Sequence, residues 1–286
     1  IVLVKVSVIL LFIGFGFQYI QPENLTPFIP PTDAAGHFGW SGIVTGAGVI
    51  FFAYIGFDSV STLAQETKDP QRAMPIGIIG SLIVCTILYI LVAFVMTGIV
   101  KYDKLGDPAP IAVAVNAAGE GLAWLRPLIK LGAIAGLSSV VLVLMLGQPR
   151  IFYCMANDGL LPKIFAKMHP RYGTPFFSTM LTGILAGLIA GFVPIGILGE
   201  LVSIGTLLAF VIVCAGVWVL RITDPNVHRP FRTPWVPVVS TLGVLVSVLQ
   251  MAWLPFDTWM RLLIWMALGL VIYFSYGRRH SVISNS

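Results

Sequence analysis

Charged residues are scarce in this chain of 286 residues. Asp, Glu, Lys and Arg together make up 10% of it, whereas a soluble domain averages about a quarter. Hydrophobic residues make up 57% of the sequence and its mean hydropathy is +0.94. This composition excludes an ordinary soluble domain, because apolar runs of this extent need lipid rather than water around them.

Cysteine and histidine are also scarce. Cys85, Cys154 and Cys214 are widely separated, so their spacing predicts neither a metal site nor a disulfide framework. The four histidines fall in loops or tails, and no apolar stretch carries two catalytic-type residues at helical spacing. We therefore expect no metal, no cofactor and no enzymatic activity. A channel would show a repeated ring of pore-lining groups, and the sequence has no such pattern.

The chain does contain eight long apolar stretches, most of them close to the ~20 residues that cross a ~30 Å hydrocarbon core as a helix. They are Ile1–Phe17, Ile43–Ala64, Ile76–Val100, Leu125–Leu146, Phe176–Val193, Ile197–Leu220, Trp235–Leu254 and Thr258–Phe274. This pattern predicts an all-α polytopic membrane protein with eight transmembrane helices. The first stretch opens without Met and without a charged segment before it, so we expect part of a longer polypeptide rather than a signal peptide.

Basic residues are distributed unevenly between the connecting segments. If the first span runs outward from the cytoplasm, the inner segments carry eleven Lys and Arg residues and the outer segments carry five. The inner ones are Lys68, Arg72, Arg150, Lys163, Lys167, Arg171, Arg221, Arg229, Arg232, Arg278 and Arg279. The positive-inside rule therefore predicts that both ends of the chain are cytoplasmic. The net charge of +5 follows from this topology, with contact to anionic lipid, and indicates no nucleic-acid partner.

The second span carries helix-weakening and charged residues near its centre. Gly56 lies between aromatic residues, and Asp58 follows two positions later. A carboxylate at this depth costs about 2.5–3.5 kcal/mol and needs a partner or a water-filled cavity, while glycine eases departure from helical geometry. We expect unwound backbone over residues 52–57, with Asp58 and Ser59 capping a restarted half-helix and freed carbonyls receiving an ammonium group. The alternative is a simple kink in which Asp58 is only a structural cap.

Lys5 is the only Lys or Arg well inside a span. Thirteen positions separate it from Gln18, or about 20 Å of helix, which places Lys5 somewhat to the cytoplasmic side of the midplane. Removing an amine from water favours its neutral form, so this lysine is a candidate proton carrier. The alternative is a lysine that snorkels to the inner surface. In span four, the small residues around Ser138 and Ser139 predict close helix packing.

Several sequence motifs resemble those of a known family, the amino acid–polyamine–organocation transporters. FFAYIGFDSVST at 51–62 and ETKDPQRAMP at 66–75 are similar to that family's sixth helix and following loop. GQPR at 147–150, ANDGLLP at 156–162 and GTP at 173–175 resemble its loop between helices eight and nine. The resemblance covers essentially the whole chain. It is strongest to the cationic amino-acid transporter branch and its bacterial proton-coupled relatives.

The resemblance implies a LeuT-like fold of two inverted five-helix repeats, with helices one and six broken, followed by two further helices. On this basis residues 1–18 are helix five, the last of the first repeat. Residues 41–221 are the second repeat, helices six to ten. Residues 235–276 are helices eleven and twelve, and residues 277–286 are a cytoplasmic tail. Helices one to four would then be partners that this chain lacks.

The resemblance also implies a substrate site at the break in helix six. The main-chain carbonyls of Phe52, Ala53 and Ile55 would receive the amino group of the substrate. Phenylalanine rings would act as gates or cavity walls, and Asp58 would contribute to gating and charge sensing. The full set of implied site residues is Phe51, Phe52, Ala53, Ile55, Gly56, Phe57 and Asp58.

A proton-coupling site is implied as well. Lys5 matches the helix-five lysine of the proton-coupled branch, whose ammonium lies where sodium-coupled members hold their ion. Ala135, Ser138 and Ser139 on helix eight match that sodium site. Protonated Lys5 would hold helices five, one and eight together, and its deprotonation would loosen the inner side during alternating access.

The sequence thus predicts secondary active transport of amino acids across the plasma membrane, coupled to protons. The expected substrates are arginine, lysine, ornithine or alanine, and the other expected partners are the proton and the lipid bilayer. The alternatives are an amino-acid exchanger, a carrier of polyamines or other organocations, and a fragment without activity by itself.

Overall fold

A computed structural model describes residues 1–32, 38–57, 67–107, 109–227, 229 and 231–281. Its regular structure over these ranges is helical. The α-helices are α1 Val2–Gly16, α2 Gly39–Ile50, α3 Pro70–Ile99, α4 Pro110–Ala117, α5 Leu125–Asn157, α6 Phe176–Phe192, α7 Ile195–Thr223, α8 Val236–Ala252 and α9 Phe256–Ile272. A π-helical turn, Tyr273–Gly277, and a last turn, Arg278–His280, continue α9.

Each of the eight predicted apolar stretches overlaps an apolar helix. Five helical segments are long and apolar enough to cross a membrane, namely Val2–Tyr19, Pro70–Ile99, Leu125–Asn157, Ile195–Thr223 and Phe256–His280. Three shorter apolar segments are Gly39–Tyr54, Phe176–Phe192 and Val236–Ala252. A 17-residue helix is about 25 Å long and falls short of a ~30 Å hydrocarbon core. Over its described residues the chain is therefore an all-helical, multi-pass membrane protein with five long and three shorter apolar helices.

The surfaces of the long helices explain why they need lipid. Only 6% of the most apolar part of α3, and the same share of α5, is buried inside the protein. Ile134, Leu137 and Leu142 on α5 are 65–70% exposed. Hydrocarbon can cover such surfaces, since a helix satisfies its backbone hydrogen bonds internally.

Helices α3 and α5 extend furthest beyond the stretches that hydropathy predicts. Helix α3 begins at Pro70, six residues before Ile76, and α5 runs through Asn157, eleven residues past Leu146. Assigning residues 147–150 to a loop is therefore wrong, because they lie inside α5. Hydropathy marks only the part of a helix that lipid covers, and intrahelical hydrogen bonds continue through the polar residues beyond it.

One compact unit comprises residues 1–40 and 79–143. Its core contains Phe12 of α1, Val95 of α3 and Leu125 of α5, together with Ala114 and Val115 of α4. Hydropathy missed α4 because it has only eight residues, Pro110–Ala117. The loop after α1 caps α3 in this unit, since the Asn24 side-chain amide donates to the carbonyls of Gly98 and Ile99 at 3.0 and 3.1 Å.

The other compact unit comprises residues 41–78 and 144–286. Its core is centred on Ile204 and Leu207 of α7 and includes residues of α8 and α9. Gly243 of α8 allows a close approach to α7, because a Cβ there would lie 2.7 Å from Cys214 Sγ. Glu200 of α7 accepts hydrogen bonds from Thr258 at 2.8 Å and Arg261 at 3.2 Å, which ties α7 to α9.

Candidate functional site

The backbone after α2 leaves helical geometry where the sequence predicts an interruption. The α-helix ends at Ile50 and a single 3₁₀ turn covers Phe51–Tyr54. Ile55 is extended, with φ −61° and ψ 133°. Gly56 has φ +131°, a conformation that only glycine adopts readily. Asp58 and Ser59, the predicted caps of a second half-helix, lie outside the described residues.

Together with Tyr54, the implied substrate-site residues up to Phe57 make up this segment. Phe51, Tyr54, Ile55, Gly56 and Phe57 are half-buried, whereas Phe52 and Ala53 are exposed. The carbonyl of Phe52 accepts the Ile55 N–H at 3.2 Å. A backbone carbonyl has two lone pairs and can accept two donors.

Helix α7 packs along residues 51–57, which we call the non-helical segment because no α-helix covers them. Its residue Ser203 is fully buried and donates a hydrogen bond of 3.4 Å to the carbonyl of Val49, in the last turn of α2. Carbonyls in the last turn of a helix lose their intrahelical partners, so the hydroxyl serves as a cap from a neighbouring helix. Gly199 lies one turn before Ser203 and faces Phe52, whose ring would be 3.8 Å from a Cβ at Gly199.

Phe210, also on α7, contacts the segment at two points. Its ring centroid is 5.9 Å from that of Phe51, with the planes at 88°. It is 5.4 Å from that of Phe57, with the planes at 43°. Sequence analysis missed Phe210 and Ser203. The only signal was their spacing, since Gly199, Ser203 and Phe210 recur at intervals of four and seven and so share one helix face.

The second candidate site lies between α1 and α5, within the first compact unit. The Lys5 Nζ donates a hydrogen bond to Ser139 Oγ at 3.0 Å. Ser139 Oγ in turn donates to the carbonyl of Gly136 at 2.8 Å. A serine hydroxyl has one proton and two acceptor positions, so this arrangement fixes Ser139 as the acceptor for the lysine.

Small residues on α5 make room for this contact. A Cβ at Gly136 would lie 3.2 Å from Lys5 Cδ, and one at Gly132 would lie 3.2 Å from Val8 Cγ1. The two glycines are four residues apart and therefore face α1 together. Of the other helix-eight candidates, Ala135 is half-buried and Ser138 is exposed. The structure thus brings Lys5 to Ser139, the inner of the two adjacent serines.

Comparison with known proteins agrees with this architecture. Residues 1–273 match the protein family described as amino acid permease. The chain is 44% identical over 284 residues to the methylthioribose transporter of Bacillus subtilis (strain 168), which covers 99% of this chain and 60% of that protein. It is 40% identical over 284 residues to the branched-chain amino acid permease BcaP of the same organism, covering 99% and 59%.

A plant relative matches a shorter region. Cationic amino acid transporter 4, vacuolar, of Arabidopsis thaliana is 44% identical over 189 residues, which covers 66% of this chain and 31% of that protein. The chain spans about 60% of the length of the two Bacillus relatives. The match over residues 1–273, the all-helical membrane architecture and these relatives together confirm the family resemblance. The chain belongs to the amino acid permease family of the amino acid–polyamine–organocation superfamily, a family of membrane transporters and not of enzymes.

Proposed function

We propose that the full-length protein carries amino acids across the plasma membrane together with protons, by alternating access. The observation that carries this proposal is the hydrogen bond of 3.0 Å from Lys5 to Ser139. It joins a cationic side chain of one apolar helix to a hydroxyl of another. An ionisable group inside a membrane protein that pairs with a neighbouring helix is typical of proton pathways.

Protonation of Lys5 stabilises the contact between α1 and α5. A neutral amine donates a weaker hydrogen bond than an ammonium does, so loss of the proton weakens the hold on Ser139. The helices can then separate on the cytoplasmic side and release the proton and substrate. The proton shifts the equilibrium only because the two conformations bind it with different affinity.

The substrate site in this proposal is the non-helical segment after α2. The carbonyls of Phe52, Ala53 and Ile55 receive the ammonium group of the amino acid. The rings of Phe51, Phe52 and Phe57 form cavity walls or gates, and Asp58 senses charge. The end of the α-helix at Ile50 and the positive φ of Gly56 support this assignment, because unwound backbone is what exposes carbonyls to a ligand.

The proposed architecture is a LeuT-like inverted repeat. In it α1 is helix five, α2 and the segment after it begin helix six, and α5 and α7 are helices eight and ten. Helices one to four belong to the rest of the full-length protein. Eleven basic residues in the inner segments against five in the outer ones support cytoplasmic locations for both ends of this chain.

The proposed substrates are cationic or small neutral amino acids, with arginine, lysine, ornithine and alanine as the compounds to try. The cationic transporters of Arabidopsis support the cationic class. A second candidate class has apolar side chains. It is favoured by the Bacillus relatives, one named for branched-chain amino acids and one for methylthioribose, which each match 99% of the chain.

Uptake by the full-length protein in proteoliposomes tests the proposal. Labelled arginine, alanine, leucine and methylthioribose are compared with and without an inward proton gradient. We expect uptake of at least one of the amino acids, several-fold faster with the gradient. Uptake of methylthioribose alone would contradict the amino-acid assignment. Uptake that needs amino acid inside the vesicle and ignores the gradient would identify an exchanger and contradict proton coupling.

A further inference from the structure

The ring of Phe210 contacts the non-helical segment at two residues, Phe51 and Phe57. Phe51 is the first residue after α2, and Phe57 follows Gly56. Between them lie the 3₁₀ turn and the extended residue Ile55. The ring centroids of Phe51 and Phe57 lie 5.9 and 5.4 Å from that of Phe210. Phe210 therefore links Phe51 to Phe57, and no α-helix holds the backbone between these two residues.

The side that carries Phe210 is firmly held. Ser203, Ile204 and Leu207, within two turns of Phe210 on α7, are 0–1% exposed and pack in the core of the second unit. Regular α-helical hydrogen bonds hold Phe210 itself in place along this helix. The segment that it contacts has a short 3₁₀ turn instead, closed by the hydrogen bond of 3.2 Å from Ile55 to Phe52. Since the helix is the stiffer element, the ring positions the segment and not the reverse.

The geometry of the two ring pairs is directional. Edge-on and tilted arrangements at these centroid distances are favourable for aromatic rings beyond the burial of apolar area. An aliphatic side chain of similar size would keep much of the burial and lose this preference for orientation. A ring with an added hydroxyl would keep the preference.

We propose that Phe210 is a positioning residue for the substrate site. By holding Phe51 and Phe57 it fixes the backbone between them, and with it the carbonyls that receive the amino group of the substrate. The expected effect of Phe210 on transport rests on the proposed function. Its expected effect on the backbone of residues 51–57 does not. Loss of the ring raises the KM for the amino acid and leaves the response to the proton gradient in place.

The test uses three variants of the full-length protein. Phe210→Leu removes the ring and Phe210→Tyr keeps it. The matched control is Trp218→Leu, which removes a ring from the same helix at a residue that is 39% exposed. Amounts of folded protein are compared by size-exclusion chromatography before reconstitution.

Backbone hydrogen–deuterium exchange over residues 51–57 is the readout that does not depend on transport. We expect exchange in Phe210→Leu to be about tenfold faster than in the wild type, with Phe210→Tyr and Trp218→Leu near the wild type. We expect the KM for uptake to rise about tenfold in Phe210→Leu alone, with an unchanged ratio of uptake with and without the gradient.

Equal exchange in Phe210→Leu and Trp218→Leu would overturn the proposal, whether or not the protein transports the tested substrates. A KM that rises equally in Phe210→Leu and Phe210→Tyr would overturn it too, because the ring would then be irrelevant. Faster exchange in Phe210→Leu, combined with no amino-acid uptake by the wild type, would support the positioning role and count against the proposed function instead.

Discussion

At the scale of single residues, two adjacent serines of α5 have different environments. Ser139 accepts the hydrogen bond from Lys5 at 3.0 Å, whereas Ser138 is exposed. They have the same chemistry and neighbouring positions in one helix. Comparing substitutions at the two serines therefore separates the effect of the contact with Lys5 from the effect of any serine hydroxyl at this depth in the membrane.

We expect Ser139→Ala to reduce proton-stimulated uptake by about tenfold, because a hydrogen bond to a charged group contributes about 1.5–3 kcal/mol. Ser138→Ala removes the other serine of the implied coupling site and is the comparison; it should reduce uptake less, because Lys5 donates to Ser139 and Ser138 is exposed. Initial rates in proteoliposomes with an inward proton gradient measure both. Equal loss in the two variants would show that the contact between Lys5 and Ser139 has no special role.

Sequence reasoning reached some of these residues and missed others for physical reasons. Lys5 and Gly56 were found because a charge in an apolar span and a glycine in its centre are costly or unusual by themselves. Phe210 was missed because a phenylalanine in an apolar helix is ordinary, and only its neighbours in space distinguish it. The roles of Lys5 and of the segment after α2 remain predictions.

At the scale of secondary-structure elements, the arginine that follows α7 caps that helix. The Arg229 guanidinium donates to the carbonyls of Leu220 at 2.9 Å and Asp224 at 2.7 Å. It also donates to those of Pro225 and Val227, both at 3.2 Å. A cation at the C-terminus of a helix is favourable for the exposed carbonyls and for the helix dipole. The planar fork of the guanidinium allows several such bonds at once.

We therefore expect Arg229→Lys to lower the free energy of unfolding by about 1–2 kcal/mol, although the charge is kept. Arg232→Lys makes the same exchange three residues further along the chain and is the control. Thermal unfolding in detergent, followed by tryptophan fluorescence, measures both variants. The same midpoint for the two variants would contradict the capping role.

The last turn that the structure describes, Arg278–His280, packs against the turn after α5. Gly159 has φ +77° and its backbone contacts the carbonyl of His280. A side chain at Gly159 would collide with that carbonyl. Gly173 also has a positive φ, +60°, but a Cβ there would have no atom within 4 Å.

We expect Gly159→Ala to destabilise the protein by more than Gly173→Ala does. Both variants carry the cost of a left-handed conformation, about 1–2 kcal/mol. Only the first must also displace the backbone at His280. The difference between their unfolding midpoints isolates the contact with the last turn, and equal midpoints would show that this turn does not hold the segment after α5.

The boundaries of the elements show what hydropathy can predict. It located the cores of all eight apolar helices, because lipid contact demands apolar side chains over their whole surface. It misplaced the start of α3 and the end of α5, since Pro70 and Asn157 lie in helix that extends beyond the apolar part. It missed α4 because that helix has only eight residues, far fewer than a membrane span needs.

At the scale of the whole molecule, the proposed carrier extends beyond the helices of this chain. It belongs to the amino acid permease family and spans about 60% of the length of the Bacillus relatives. The proposed coupling joins α1, which would end the first repeat, to α5 in the second. Since alternating access moves such repeats against each other, a proton on Lys5 would be able to bias that motion.

The central claim is that Lys5 couples proton movement to transport, and Lys5→Met in the full-length protein tests it most directly. Methionine keeps an unbranched apolar stem and removes the amine. Uptake of the preferred amino acid is measured over a range of external pH, with and without an inward proton gradient. The account predicts that substrate exchange between the two sides persists, while stimulation by the gradient and the dependence on pH disappear. Gradient-stimulated uptake with an unchanged dependence on pH in Lys5→Met would contradict it.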